Sequence, residues 1–564
     1  MSEGAENHSG TGGIGEFDAG GMDWALPYDA RRPAVCGSMA VATSQPLAAQ
    51  AGVEIMRRGG NAADAAVAVA AAMTVLEPTT NGIGGDAFAL AIFGGEVVGL
   101  NASGRAPRRQ SRAAFDGMVG MPKRGWGPVT VPGAVSGWVA LSKRFGRLPF
   151  ADLMEPAIRF ARDGYLVAPR TADLWRRAHP AFSKFDEWRR VFAPAGRAPF
   201  AAERVVLADH ARTLELVGRT EGEAFYAGAL AKAMADAARA DGAFLDEADL
   251  AAHFADAAAR WVAPLEMPFG DAADAPRMLA IPPNGQGIAA LIARGILEES
   301  RANPRFADLD PDCADSVHLA AEAMKIAFRE VHREVGDPAA MRTTAAAMLD
   351  RARLAALAAE IDPAKARDFD HGPPKTGGTI LLATADDEGN MVSFIQSNYE
   401  GWGSGVVVPG TGIAMQNRGA CFTLEKGHVN EYAAGKLPYH TIIPGMLVGR
   451  DAADRARPHL AFGCMGGYMQ PQGQLQIASR LEDRSANPQA ALDAPRWQVS
   501  DGLRLDVEPG FAQATLDELA RRGHAVKVAS EKSISFGRAQ AIRRVDGGYI
   551  AAGDMRGDAQ PVVA

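Results

Sequence analysis

Cysteine is scarce in this chain, with four residues in 564: Cys36, Cys313, Cys421 and Cys464. They sit far apart and form no CxxC pair, which is too few for a disulfide framework and lacks zinc-site spacing. They read as single buried thiols in a reducing compartment. Long apolar runs are missing as well. The longest, Ala65 to Leu76, covers 12 residues, whereas a bilayer span needs about 20, so no membrane helix is expected. The 11 histidines include no HExxH and no tight His/Asp pair, so neither a metal nor any other cofactor is expected. Charge is nearly balanced: 59 Lys and Arg stand against 67 Asp and Glu, a net charge of −8. That excludes a chain built to bind nucleic acid or an anionic membrane by its field. The opening stretch MSEGAENHSGTGGIGEFDAGG has neither the basic nor the apolar region of a signal peptide, which points to the cytoplasm.

What is present is an ordinary globular composition, 47% hydrophobic and 22% charged. Residues 1–25 read as a mobile tail. GGNAADAAVAVAAAMTVLEP (59–78) predicts a helix with Asn61 as N-cap, Asp64 completing a capping-box-like start and Pro78 as the stop. Its nearly all-apolar surface predicts burial on every side. TTNGIGGDAFALAIFGGEVVGLNASGRAP follows as a glycine loop and a hairpin. Residues 205–260 and 311–360 carry helical spacing, and PRMLAIPPNGQG (276–287) reads as a strand entering a Pro/Gly loop. IDPAKARDFDHGPPKTGG (361–378) reads as an exposed loop. TILLATADDEGNMVSFIQSN (379–398) then reads as strand, turn, strand. Strands and helices run through both halves, which favours one layered α/β unit.

Three glycine motifs bear on chemistry. GIGGD (82–86) follows a helix, leads into a strand and lacks the third glycine, so it fits a tight turn or close backbone contact better than a dinucleotide fingerprint. Gly377-Gly378-Thr379 places a threonine at the head of a strand. Were the Gly378–Thr379 peptide cut, Thr379 would carry a free α-amine, with a pKa of about 8, beside its own hydroxyl. That amine can serve as base for the hydroxyl. In FGCMGGYMQPQGQ (462–474), Gly466 and Gly467 offer adjacent backbone N–H groups for a developing oxyanion. Each motif alone also fits a plain turn.

Together they fall into a recognisable series. GGNAADAAVAVAAAMTVLEPTTNGIGGDAF, VTVPGAVSGW, HLAAEAMKIAFREVHREVGDP, GGTILLATADDEGNMVSFIQSN, GSGVVVPGTGIAMQNRG, KLPYHTIIPGM and the GCMGG block with NPQAALDAPRW occur in the order seen in γ-glutamyltranspeptidases. The chain resembles that family of N-terminal-nucleophile hydrolases from about residue 35 to 560. The resemblance implies a four-layer αββα sandwich of α/β (α+β) class. It also implies a precursor that cuts itself before Thr379 into a large subunit (26–378) and a small one (379–564), with a homodimer of processed heterodimers compatible with it. Gly466 and Gly467 fall on the oxyanion-hole glycines, and Ser397 on the hydroxyl residue that supports the nucleophile.

The same resemblance exposes departures in the substrate pocket. Ser103 stands where family members that use glutathione carry an Arg, with Arg105 two residues on. Cys421 stands at the Asp that holds the glutamyl α-amine, Arg418 at a Gln, and His440-Thr441 at a serine pair. A thiol cannot replace a carboxylate as partner for an ammonium ion. Arg105 and Arg418 remain suited to an anionic acyl group, since guanidinium pairs bidentately with carboxylate. The expectation is therefore an amidohydrolase or acyltransferase working through an acyl-enzyme on Thr379. A γ-glutamyl compound such as glutathione is the family's default substrate. An oxamate-like amide or an acylase substrate competes closely with it, and a non-catalytic binding protein is the remaining alternative.

Overall fold

The computed structural model describes residues 32–564 except 257–259, 271, 273, 373–376 and 452. The expected tail at 1–25 lies outside the described residues. Two seven-stranded antiparallel sheets lie face to face. One runs, in spatial order, Val35–Gly37, Gly548–Gly553, Ala539–Val545, Ala456–Cys464, Gly445–Arg450, Arg277–Ala280, Leu265–Pro268. The other runs Val562–Val563, Ala40–Thr43, Gly378–Ala385, Met391–Tyr399, Asp86–Phe93, Glu96–Ala102, Trp261–Val262. Helices Pro46–Arg57, Ala62–Leu76 and Ala134–Phe145 cover the outer face of the second sheet, and Gly287–Arg301 and Met469–Glu482 pack on the first, with Ala314–Glu334 against Gly287–Arg301. This is the αββα sandwich. Both sheets take strands from either side of Thr379, so neither part of the chain could close its core without the other.

The helix Ala62–Leu76 forms for the reasons its sequence suggests. The Asn61 side chain accepts from the Ala63 and Asp64 amides, while the Asp64 carboxylate accepts from the Asn61 amide, and every residue of the helix is buried. Its N-terminus is also tied to the turn 386–390: Asp386 accepts from the Ala62 amide at 3.0 Å and from the Asn390 amide at 2.9 Å. That turn joins the two central strands, in which only Gly378 escapes full burial. A strand covered on both faces reads as an unbroken apolar run, as LLATA and MVSFI do.

Two expectations need correcting. Residues 361–372 have the irregular backbone expected but are only partly exposed, because Ala366, Phe369 and His371 are buried among them. His371 donates to the Ser500 carbonyl at 2.6 Å, which anchors the segment to the body. The cysteines are not uniformly buried. Cys36 is exposed on a strand at the sheet's rim and Cys313 is half-buried, with only Cys421 and Cys464 inside.

Candidate active site

Thr379 lies where the two central strands lose their register. Gly378 pairs with Tyr399, and Ile380 with Gln396, so two residues, Ser397 and Asn398, oppose Thr379. Such a bulge re-aims side chains locally. Here it brings the Ser397 hydroxyl to 3.3 Å from Thr379 Oγ1 and 2.5 Å from the Gly378 carbonyl oxygen. The Tyr399 amide donates to the same hydroxyl at 2.8 Å. A hydroxyl has one proton and two lone pairs. The Gly378 carbonyl can only accept and the Tyr399 amide can only donate, so the proton on Thr379 Oγ1 must point to Ser397. Tyr399 itself sits at φ +76°, a strained value for a bulky residue.

The rest of the cluster holds Thr379 still. Arg538 donates to the Thr379 carbonyl at 3.1 Å and pairs with Glu77 at 2.7 Å. Glu77 also takes hydrogen bonds from Ser44 and Thr80. Gln470 Nε2 stands 3.5 Å from Thr379 Oγ1. A cavity of about 310 Å³ opens here, lined by Thr379, Gly377, Gly378, Gly466, Met465 and Arg538 among others. Thr379 is 2% exposed.

Gly466 and Gly467 adopt φ +122° and +62°, which a side chain would resist. Among the described residues neither of their amides donates to an acceptor, as an oxyanion hole requires before reaction. Gln286 fixes this loop by donating to the Gly467 carbonyl at 2.9 Å and to the Thr441 carbonyl at 2.6 Å. Gly377 covers the loop: a Cβ placed on it would lie 3.7 Å from the Gly467 nitrogen.

Of the four substrate-binding candidates, three converge. Arg418 is fully buried, donates to Thr441 Oγ1 at 2.7 Å and lies 4.7 Å over the Tyr399 ring. Its Nη1 also reaches Cys421 Sγ at 3.8 Å, while Nε and Nη2 have no hydrogen-bond partner among the described residues. His440 Nε2 meets Asp86 at 3.1 Å. Burial, with Arg418 nearby, holds His440 neutral. Burial pushes the Asp86 carboxyl up to about 7, against the pull of Arg418 and the Gln416 amide. Tyr399 thus joins the two halves of the site, through its amide to Ser397 and through its ring to Arg418. Arg105 is not part of this group. It pairs with Asp337 at 2.9 Å and lines a different cavity.

Several residues of this cluster were not singled out from the sequence. Glu77 stands beside the Pro78 helix stop and Asp86 ends the GIGGD loop, and no local pattern marks either as part of a site. The loop does make close backbone contact, as expected: a Cβ on Gly85 would lie 2.6 Å from the Ser397 carbonyl. Arg538 had no local signal at all. Among the described residues, His318, Glu322 and His524 are the group whose ligand atoms converge as a metal site would, within 4.8 Å. Glu322, however, is already bonded by the Lys325 ammonium, and the group lies outside the Thr379 cavity.

A sequence model described as Gamma-glutamyltranspeptidase matches residues 48–564. The chain is 34% identical to the glutathione hydrolase-like YwrD proenzyme of Bacillus subtilis (strain 168) over 532 residues, 92% of this chain and 96% of that protein. It is 35% identical to the oxamate amidohydrolase proenzyme of Klebsiella pneumoniae over 533 residues, 91% of this chain and 95% of that one. Its structure resembles the crystal structure of cephalosporin acylase from Bacillus halodurans with TM-score 0.89 and 43% identity, covering 96% of this chain and 99% of that one.

Proposed function

The chain belongs to the γ-glutamyltranspeptidase family of enzymes, and from that premise we propose that it is a self-processing amidohydrolase for small acyl groups that end in a carboxylate but carry no α-amine. The observation that carries this reading is Arg418, a buried guanidinium whose Nε and Nη2 lack partners among the described residues. The Asp86 carboxyl that feels Arg418 is itself pushed up to about 7 by burial, so it compensates the guanidinium only in part. A buried cation so placed is costly, and a substrate carboxylate would fork onto those two donors. Cys421, beside it, offers no charge to an ammonium. The γ-glutamyl group is therefore disfavoured, and acyl groups that keep the carboxylate without the α-amine, of the oxalyl, succinyl or glutaryl kind, fit better. Relatives named oxamate amidohydrolase and cephalosporin acylase support an amide substrate other than glutathione.

Maturation follows from the hydrogen bonds around Gly378. Thr379 Oγ1 attacks the Gly378 carbonyl carbon, and its proton passes to Ser397 while the Ser397 proton moves to the carbonyl oxygen. The C–N bond then breaks, the Thr379 nitrogen takes up a proton as an amine, and the resulting ester is hydrolysed. Relatives named as proenzymes support such a cut. The freed amine then acts as base for Thr379 Oγ1 toward an incoming amide. The Gly466 and Gly467 amides hold the oxyanion. Release of the segment ending at Gly378 uncovers Gly467.

Glutaryl-p-nitroanilide and γ-L-glutamyl-p-nitroanilide, compared on the processed enzyme, test the reading. The glutaryl compound is expected to have the larger kcat/KM by at least about tenfold, the scale of one unsatisfied charged group. Equal or better turnover of the γ-glutamyl compound would sink it.

A further inference from the structure

The cavity that contains Arg105 measures about 340 Å³ and has six charged residues on its wall, Arg105, Arg108, Arg260, Asp249, Asp256 and Asp337. Asp337 is fully engaged: it takes Arg105 and the Leu437 and Ala339 amides. Arg260 and Asp249 are not. Arg260 is 6% exposed, and among the described residues it donates to the His253 carbonyl and to no carboxylate. Asp249, 5% exposed on helix Glu247–Ala255, accepts the Arg108 amide on Oδ1 at 3.1 Å, while Oδ2 has no partner among the described residues. Burial pulls the Arg260 pKa down and pushes that of Asp249 up, each disfavouring the charge it carries.

Asn101, Ser103 and Asn284 also face this cavity but are bonded to one another, at 2.7 Å between Ser103 and Asn101 and 2.9 Å between Asn101 and Asn284. They form a satisfied wall. Arg108 and Asp256 are exposed, so the buried groups left over are one cation and one anion in a single cavity, with Val131, Val262 and Leu437 supplying an apolar side.

We propose that this cavity binds a small zwitterion, a free amino acid or short peptide, with its carboxylate on Arg260, its ammonium on Asp249 and an aliphatic side chain against Val131, Val262 and Leu437. Such a ligand compensates both buried charges at once and leaves the net charge of the cavity unchanged. A simple carboxylate would leave Asp249 alone, and a simple amine would leave Arg260 alone. The volume suits a mid-sized amino acid. The site is separate from the acyl site, but one chain segment serves both: Leu437 lines this cavity, and Thr441, four residues on, holds Arg418.

The test uses the full-length Thr379→Ala protein, which cannot turn over a substrate, so failure of the glutaryl reading leaves this result intact. L-Leucine, 4-methylpentanoate (the same molecule without its amine) and 3-methylbutylamine (without its carboxylate) are titrated by calorimetry. L-Leucine is expected to saturate one site, with each analogue at least about tenfold weaker. Arg260→Gln and Asp249→Asn should each weaken L-leucine by about tenfold or more, the effect of losing one charged hydrogen-bond partner. Absence of saturable L-leucine binding, equal binding of the analogues, or L-leucine binding that survives both substitutions overturns the proposal. The analogue series decides the matter even if either variant fails to fold.

Discussion

Ser397 donates its hydroxyl proton to the carbonyl of Gly378, 2.5 Å away, while receiving the proton of Thr379, the next residue in the chain. One hydroxyl therefore touches both the proposed nucleophile and the carbonyl it would attack, and the strand bulge at 397–398 puts it there.

The first prediction concerns that hydroxyl. Wild-type protein should show two masses meeting at Gly378/Thr379, and Thr379→Ala a single uncut chain. Ser397→Ala should slow cleavage by about 10²-fold or more, the cost of deleting one preorganised donor to a developing oxyanion. Intact mass spectrometry over time reads all three. A Ser397→Ala protein that cleaves at the wild-type rate would remove Ser397 from the relay.

Gly378 has no room for a side chain. A Cβ there would lie 2.8 Å from the Gly401 nitrogen and 3.2 Å from the Thr80 Cα. Gly378→Ala should displace the peptide and leave most of the chain uncut after purification, with the fold otherwise kept by circular dichroism. Full processing of this variant would show that the local backbone yields easily.

Arg538 and Glu77 form a buried pair, 7% and 1% exposed at the side chain, behind the Thr379 carbonyl. Glu77→Gln strands the guanidinium and should destabilise the protein by about 3–5 kcal/mol, the usual effect of breaking one partner from a buried ion pair. Cleavage should fall with it. Urea unfolding monitored by tryptophan fluorescence gives the first quantity, and gel densitometry the second.

For the acyl site, Arg418→Lys keeps the charge but loses the planar fork. It should lower kcat/KM for glutaryl-p-nitroanilide by about 10–100-fold, mostly through KM. An unchanged KM would return Arg418 to a purely structural role.

Acid should loosen the body through buried imidazoles. His318 Nδ1 and His524 Nε2 are 2.8 Å apart, joining a residue before Thr379 to one after it. Burial lowers the pKa of His318 and pulls His524 down to about 3. A histidine depressed by folding binds its proton more readily when unfolded. Its contribution is therefore complete above about 6.5 and is lost as pH falls toward the folded value. His524 should cost about 2 kcal/mol between pH 6.5 and 5, and His318 adds to the loss in the same direction. His524→Gln should shrink the difference between urea midpoints at pH 7 and pH 5. A variant as acid-sensitive as wild type would place the effect elsewhere.

The sequence by itself determined what depends on neighbours in the chain. The Asn61/Asp64 cap, the buried helix, the strand–turn–strand 379–398 and the glycine turns are local, set by side-chain-to-backbone bonds within a few residues or by unbroken apolar runs. The order of its motifs was enough to indicate the family and the αββα sandwich. Tertiary structure decided which distant groups meet. Arg105 and Arg418 look alike as lone arginines near the family motifs, yet Arg105 is neutralised by Asp337, 232 residues away, while folding buries Arg418 over Tyr399 and leaves two of its donors without a partner among the described residues. Arg538 reaches Thr379 across 159 residues, and Asp249 comes to share a cavity with Ser103. No pattern along the chain encodes those meetings, because they arise from how two sheets and their helices stack, and that stacking settles which charges are compensated and which are left for a ligand.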